Sequence, residues 1–469
     1  MRRKNTFITT LVISLLFGGM LAYVLIVEVK GGKRKEEAEE KAKKVLNFDQ
    51  DKVNEIALTY KDKKEFKIVK VNPDRWQIKQ PLDVRASTGV LNSILAELST
   101  AQSQRSVDKN PGDLSAYGLD NSALEIKITL SDKSFQTLQL GVRNPMGATA
   151  YAKRTDSAEV FLVSEKLFDL FEKDILWLRD KEVFHFDVTN VSSLIIEQKD
   201  KKDQAVDLVR SKDKDEWRIV RPQELKADRE MIKDMISALN YLRVDSFVGD
   251  NVSDFNPYGL VEPALRVTLK VKNGEETQTL FLGNQKEGKV YARIGDEKSV
   301  YLINEDIFKK LNKGVDELRH KKLVELNKYR VKKLSLKYFD KKIILKKEKD
   351  GGEWEIVEPV DASREVEYSK VSEILTKISE IKADKFITRQ DLSDKEMGFE
   401  IPKLEVTLTF EEGDEKEKKE KEQGITIGNL KSKEEGYYAK GSSLEGEVLV
   451  KAEEVERLEV DVEGIVEKT

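Results

Sequence analysis

Two histidines are the only imidazoles in 469 residues, and neither has the neighbours that imidazole chemistry needs. His185 stands in Phe184-His185-Phe186-Asp187, and His320 in Leu318-Arg319-His320-Lys321. A histidine-based zinc site wants a second His or a Cys at short spacing. The chain has no cysteine and no spaced partner for either His. Both are expected at surface or lightly packed positions, and no metal ligand, cofactor or cofactor-binding residue is expected. The missing cysteine also excludes thiolate nucleophiles, disulfides and a lipid-modified cysteine. The 87 Asp and Glu residues supply carboxylate pairs everywhere, so a pair carries no signal for acid–base catalysis without a cleft around it. No Gly-x-Ser-x-Gly elbow and no phosphate-cradling Gly-rich Lys loop occurs. No catalytic residue is assigned, and the chain is not expected to be an enzyme.

Two further residue types could touch a ligand. Trp76, Trp217 and Trp354 could each stack on a sugar or a base, but each follows a hairpin at a fixed place, which fits a core aromatic better. Arg179 in Arg-Asp-Lys and Arg319 in Arg-His-Lys could form a charged docking seam. The simpler reading has each Arg capping helix carbonyls or pairing with a neighbouring acid, and it is preferred here.

These residues belong to a pattern that recurs about every 140 residues, too widely for a solenoid of short units. The first copy runs Trp76, Pro81, Ala86-Ser87, Tyr117-Gly118-Leu119, Leu140-Gly141, Tyr151-Ala152 and Leu178-Arg179-Asp180-Lys181. The second runs Trp217, Pro222, Ala227-Asp228, Tyr258-Gly259-Leu260, Leu282-Gly283, Tyr291-Ala292 and Leu318-Arg319-His320-Lys321. The third has Trp354, Pro359, Ala362-Ser363, Met397-Gly398-Phe399, Ile427-Gly428 and Tyr438-Ala439, with no Leu-Arg-x-Lys exit.

The elements between these marks are the same in each copy. A meander of short strands closes on the Trp strand; Phe66 to Val71 alternates well, whereas Val53 to Leu58 has apolar residues at mixed spacing. A helix follows, with Ser87, Asp228 and Ser363 as expected N-caps. Its apolar residues fall on one face: Val90, Leu91, Ile94, Leu95 and Leu98 in the first copy, and Met231, Ile232, Met235, Ile236 and Leu239 in the second. In the third they are Val366, Val371, Ile374, Leu375 and Ile378. A variable loop leads to the Tyr-Gly-Leu turn, where Gly supplies a conformation that side chains resist. A hairpin, two short strands and a short closing helix complete the unit. The expected fold class is α+β, with three tandem repeats, each a mostly antiparallel sheet with one main helix. Glu411 to Glu422, nearly all charged, is expected to be a solvated extension of the third hairpin.

Residues Phe7 to Val27 carry no charge over a length that spans a bilayer. They are too long for a signal h-region and lack an Ala-x-Ala site, so an uncleaved anchor contacting the lipid bilayer is expected. Lys33 to Leu46 alternates Lys and Glu, as a solvated stalk helix would. The expected organisation is a cytoplasmic tip and anchor over 1–30, a charged stalk over 31–50, and repeats over 51–185, 186–325 and 326–469. Charged residues make up 36% of the chain but the net charge is only −4, so no basic field argues for nucleic acid. Arg2, Arg3 and Lys4 favour a cytoplasmic N-terminus, whereas Lys30, Lys33, Arg34 and Lys35 beyond the span favour a cytoplasmic body.

The combined motifs from Val53 onward resemble the bacterial envelope proteins grouped as "domain of unknown function 4340". That family implies one N-terminal membrane helix followed by copies of this domain, often encoded beside components of gliding-type ABC transporters. The resemblance implies a periplasmic or extracytoplasmic body on the inner membrane, with ABC transporter subunits among its partners, and the anchor, the repeated domains and the missing catalytic constellation make a scaffold or accessory subunit the expected role. Met397-Gly398-Phe399 and His320 depart from the pattern of the first copy. The family carries no catalytic residues over. A surface protein that binds or hydrolyses polysaccharide or peptidoglycan at a domain junction is the alternative.

Overall fold

Residues 16–20, 23, 43–171, 175–201, 205–211, 215–348, 352–359, 365–387, 392–412 and 419–466 are described in the computed structural model. Two compact units divide the chain, Met1–Lys181 and Glu182–Thr469. The first holds one sheet and the second holds two, each sheet with its own apolar core.

The first sheet comprises β1 (Val53–Tyr60), β2 (Glu65–Asn72), β3 (Arg75–Gln80), β4 (Val84–Ala86), β5 (Arg105–Asp108), β6 (Leu124–Leu130), β7 (Phe135–Arg143), β8 (Thr149–Arg154) and β9 (Val160–Ser164). Its order is β4-β3-β2-β1-β6-β7-β8-β9-β5, antiparallel throughout. The second sheet repeats this order with nine strands, and the third has eight among the described residues. This bears out the antiparallel α+β repeat.

The mixed spacing in β1 has a structural cause. A register shift between Val53 and Glu55 inserts an extra residue, so Val53, Ile56 and Leu58 all face the core. The same shift falls between Val191 and Ser193 and between Val331 and Lys333. Strict alternation would have turned one of the three apolar residues outward.

The main helices are Thr88–Thr100, Arg229–Asn240 and Tyr368–Glu380. Each buries four apolar residues at positions i, i+3, i+4 and i+7: Leu91, Ile94, Leu95 and Leu98; Ile232, Met235, Ile236 and Leu239; Val371, Ile374, Leu375 and Ile378. Ser87 accepts from the Val90 N–H and Asp228 from the Met231 N–H, as N-caps should. The third cap differs from expectation. Glu367 occupies that position without a side-chain cap bond, and Val366, expected on the helix face, forms a β-bridge before it. Ser363 lies outside the described residues.

The variable loop holds a short edge strand in every copy. Arg105–Asp108, Ser246–Gly249 and Lys385–Phe386 each pair with the last strand of their sheet. At two to four residues each they are too short to show an alternation. The charged hairpin extension keeps a ladder at its base, with Glu411 opposite Glu420 and Glu412 opposite Lys419. Most of the expected anchor, residues 7–27, lies outside the described residues. Residues 16–20 and 23 are helical, and Leu16, Phe17, Met20 and Tyr23 are 66–70% exposed. Among the described residues no helix is long and apolar enough to cross a membrane.

Candidate functional site at the junction of the second and third repeats

The recurring glycines are a contact between two backbones. Gly118, Gly259 and Gly398 have φ of +63°, +67° and +81°, which an L side chain resists. A Cβ on Gly141 would lie 2.1 Å from the Tyr117 carbonyl oxygen, on Gly283 2.1 Å from that of Tyr258, and on Gly428 2.0 Å from that of Met397. The Tyr-Gly-Leu turn therefore rests directly on the Leu-Gly strand. Tyr117 then packs on Tyr151 at 5.2 Å and Tyr258 on Tyr291 at 5.1 Å. In the third copy Met397 and Phe399 pack with Tyr438 in the same place. Trp76, Trp217 and Trp354 are 1%, 3% and 4% exposed, so they are core aromatics and offer no stacking platform to a ligand.

Each repeat is also clasped by two short segments. An exit segment covers the sheet beside the main helix: Arg179 bridges Ala86, Arg319 bridges Ala227 and Val466 bridges Val366. The N–H groups of Ser87, Asp228 and Glu367 donate to the carbonyls of Leu178, Leu318 and Ile465. The third copy was expected to lack this exit; it keeps the backbone pairing with Ile465-Val466 and loses only the Arg. The pairing closes the sheet beside the helix start, which every copy needs.

The second segment is a strap that arrives from upstream and pairs just past the end of the main helix. Lys44 bridges Gln102, Glu182 bridges Arg243 and Lys322 bridges Lys382. Val45-Leu46, Val183-Phe184 and Leu323-Val324 follow into the three cores, all under 6% exposed. Asp49, Asp187 and Asn327 then cap the turn that opens each sheet, accepting from the N–H two residues on. Sequence reasoning missed the strap, although its signal was present. Lys43-Lys44-Val45-Leu46-Asn47-Phe48-Asp49, Lys181-Glu182-Val183-Phe184-His185-Phe186-Asp187 and Lys321-Lys322-Leu323-Val324-Glu325-Leu326-Asn327 are three versions of one pattern. The end of the expected stalk, 31–50, is thus the strap of the first repeat.

Within the second unit, exit and strap meet. Arg319 lies with its guanidinium 3.5 Å from the Phe386 ring centroid and 3.8 Å from the Asp316 carboxylate. It pairs with an acid as expected and also stacks on the third repeat. His320, expected near the surface, is only 8% exposed, because the exit of the second repeat and a turn of the third close over it. Its N–H donates to the Lys226 carbonyl at 2.8 Å, and its Nε2 lies 3.4 Å from the Glu325 carboxylate. Glu325 accepts from the Lys226 ammonium, and its backbone N–H donates to the Gln423 side chain at 2.8 Å. Burial pushes the His320 imidazole down, against the upward pull of Glu325. Burial alone would raise Glu325, but the Lys226 hydrogen bond and the charges of His320 and Lys226 hold it below the ordinary range.

A cavity of about 230 Å³ opens here, lined by Arg218, Lys226, Arg319 and His320 on one side and Ser442, Ser443 and Glu445 on the other. The Ser443 N–H donates to the Leu323 carbonyl at 3.0 Å, which seats the turn on the strap. Ser442 is no partner for His320: its Oγ accepts from the Gly424 N–H at 2.7 Å and donates to the Gly424 carbonyl at 3.2 Å. The Arg218 and Lys226 cations are matched by Glu224 and Glu325. The arrangement holds two repeats together. His185 lies 3.5 Å from Glu182 and is partly exposed, as expected.

Repeats of this kind define a tandem array of α+β domains joined strap to exit. The family described as "Domain of unknown function (DUF4340)" matches residues 76–216, 217–397 and 354–469, and the chain belongs to it. The matched segments start at the three Trp residues, so they run out of phase with the sheets, which begin at Val53, Val191 and Val331. No curated protein and no solved structure matched the chain.

Proposed function

We propose that this chain is a non-catalytic, membrane-anchored envelope protein, a scaffold or accessory subunit of an ABC-type transport assembly with its repeats outside the cytoplasm. The observation that carries the reading is the first strap. Only fifteen residues, 28–42, separate the uncharged run from Lys43, where the chain is already paired with the segment that follows the first main helix. Those residues reach about 50 Å at full extension, so the first repeat is held close to the bilayer. The groups best suited to chemistry support it too: the three Trp are sealed in cores, and His320 is enclosed at a junction. Burial of the Trp residues takes away the main support for a polysaccharide-binding role.

The test fuses an exported-only reporter and a cytoplasm-only reporter to the C-terminus, followed by crosslinking in native membranes. The reading expects activity from the exported reporter and a crosslinked transporter subunit. Activity of the cytoplasmic reporter alone, or no crosslinked partner, would overturn it.

A further inference from the structure

We propose that the junction between the second and third repeats is a proton-sensitive latch, in which protonation of His320 loosens the turn carrying Ser442 to Glu445 from the exit and strap segments. The proposal is independent of the envelope role. Its first support is geometric. His320 is more than nine-tenths buried, and its Nε2 makes no hydrogen bond among the described residues, although it sits 3.4 Å from Glu325. Every element around it brings charge. The second repeat contributes Arg218, Lys226, Asp228 and Arg319; the strap contributes Lys322 and Glu325; the third-repeat turn contributes Glu445. Glu325 is already engaged by Lys226, so it offers an added proton only part of its charge. An imidazolium would lie out of water among four cations and three carboxylates, with burial outweighing the pull of Glu325, and movement of the turn would open its buried Nε2 to the adjoining cavity.

The second support is positional. Both histidines of the chain fall in exit–strap segments. Aligned on Lys181 and Lys321, His320 takes the place of Asp180, and Glu325 takes the place of His185. The two segments thus carry one acid and one imidazole over the same two positions, with the types exchanged.

The sign follows from linkage. Burial lowers the affinity of His320 for a proton below its ordinary value of 6.5. The open junction therefore takes up the proton first as pH falls through that value, and closure weakens below it. Above it the latch is fully closed. Glu325 is also held low and would lose its contribution only in stronger acid.

The test is hydrogen exchange on the full chain in detergent, corrected for intrinsic rates, at about pH 7.5 and about pH 5.5. The amide of Ser443, which donates to the Leu323 carbonyl, reports the turn–strap contact, and that of Ile196 reports the second core. The expected result is a loss of protection of about tenfold at Ser443 in acid, with Ile196 unchanged. His185→Asn should keep that loss and His320→Gln should abolish it. Equal protection of the wild type at both pH values, or the same loss in His320→Gln, overturns the latch. Should His320→Gln fail to fold, the imidazole titration in His185→Asn decides: a midpoint below 6.5 supports the latch and one at or above 6.5 overturns it.

Discussion

The glycine contact and the strap and exit bridges are both built into every repeat, yet they vary in opposite ways. The turn carbonyl meets the strand glycine at the same place three times, while the partners around it change from Tyr to Met. At the junction the backbone bridges recur three times, but the side chains on them do not: Arg179 and Arg319 give way to Val466, and acid and imidazole trade places. Backbone geometry leaves one solution, because a carbonyl cannot share space with a Cβ. A polar junction leaves many, because any set of charges that satisfies itself will do.

That contrast can be broken most sharply at the glycines. Gly283→Ala should cost about 3 kcal/mol, since a backbone carbonyl is what the new Cβ meets. Gly259→Ala should cost about 1–2 kcal/mol, for a left-handed residue whose nearest neighbour is the movable Asn284 amide. Hydrogen exchange in the second sheet measures both, and a reversed order would mean that the turn, not the strand, fixes the contact.

Smaller effects belong to the polar ties. The Tyr338 hydroxyl donates to the Leu458 carbonyl at 2.6 Å and accepts from the Val460 N–H at 3.1 Å, whereas that of Tyr60 has the Phe171 carbonyl alone at 2.7 Å among the hydrogen bonds found. Tyr338→Phe should cost about 1.5 kcal/mol and Tyr60→Phe about 1 kcal/mol, read as shifts in thermal midpoint. Burial, with help from Asp62, pushes the Tyr60 phenol up to about 12. The folded first repeat therefore keeps its proton longer than the unfolded chain. That contribution is complete below about pH 10 and is lost as pH rises towards 12, which a tyrosinate absorbance titration follows. Least of all, Glu305→Gln, which breaks the Lys309 pair on the solvent face, should move stability by less than about 0.5 kcal/mol.

What could be read from the sequence follows the same division. The helix faces and the strand run of Phe66 to Val71 were legible because burial imposes a period. The paired glycines were legible as punctuation, though not as partners, since their contact is a matter of distance in space. The edge strand Arg105–Asp108 was illegible, being short and half exposed. The strap was hidden for another reason. Its Lys-rich opening blends into the run of Lys and Glu before it, and only two adjacent apolar residues, such as Val45 and Leu46, enter the core. The burial of His320 depends on a turn more than a hundred residues away, which no local pattern reports.

A chain without cysteine allows the clasped-repeat arrangement to be tested directly. In each strap the bridged residues form a pair flanked by the hydrogen bonds rather than joined by them, which brings Cα atoms to about 4.5 Å, within disulfide range. Paired cysteines would be placed at Lys44 and Gln102, at Glu182 and Arg243, and at Lys322 and Lys382, each pair in its own variant, and oxidised in the full chain. All three pairs should close with similar efficiency. If the first pair stays open while the other two close, the segment after the uncharged run is a tether and not a strap, and the first repeat is not clasped as the others are.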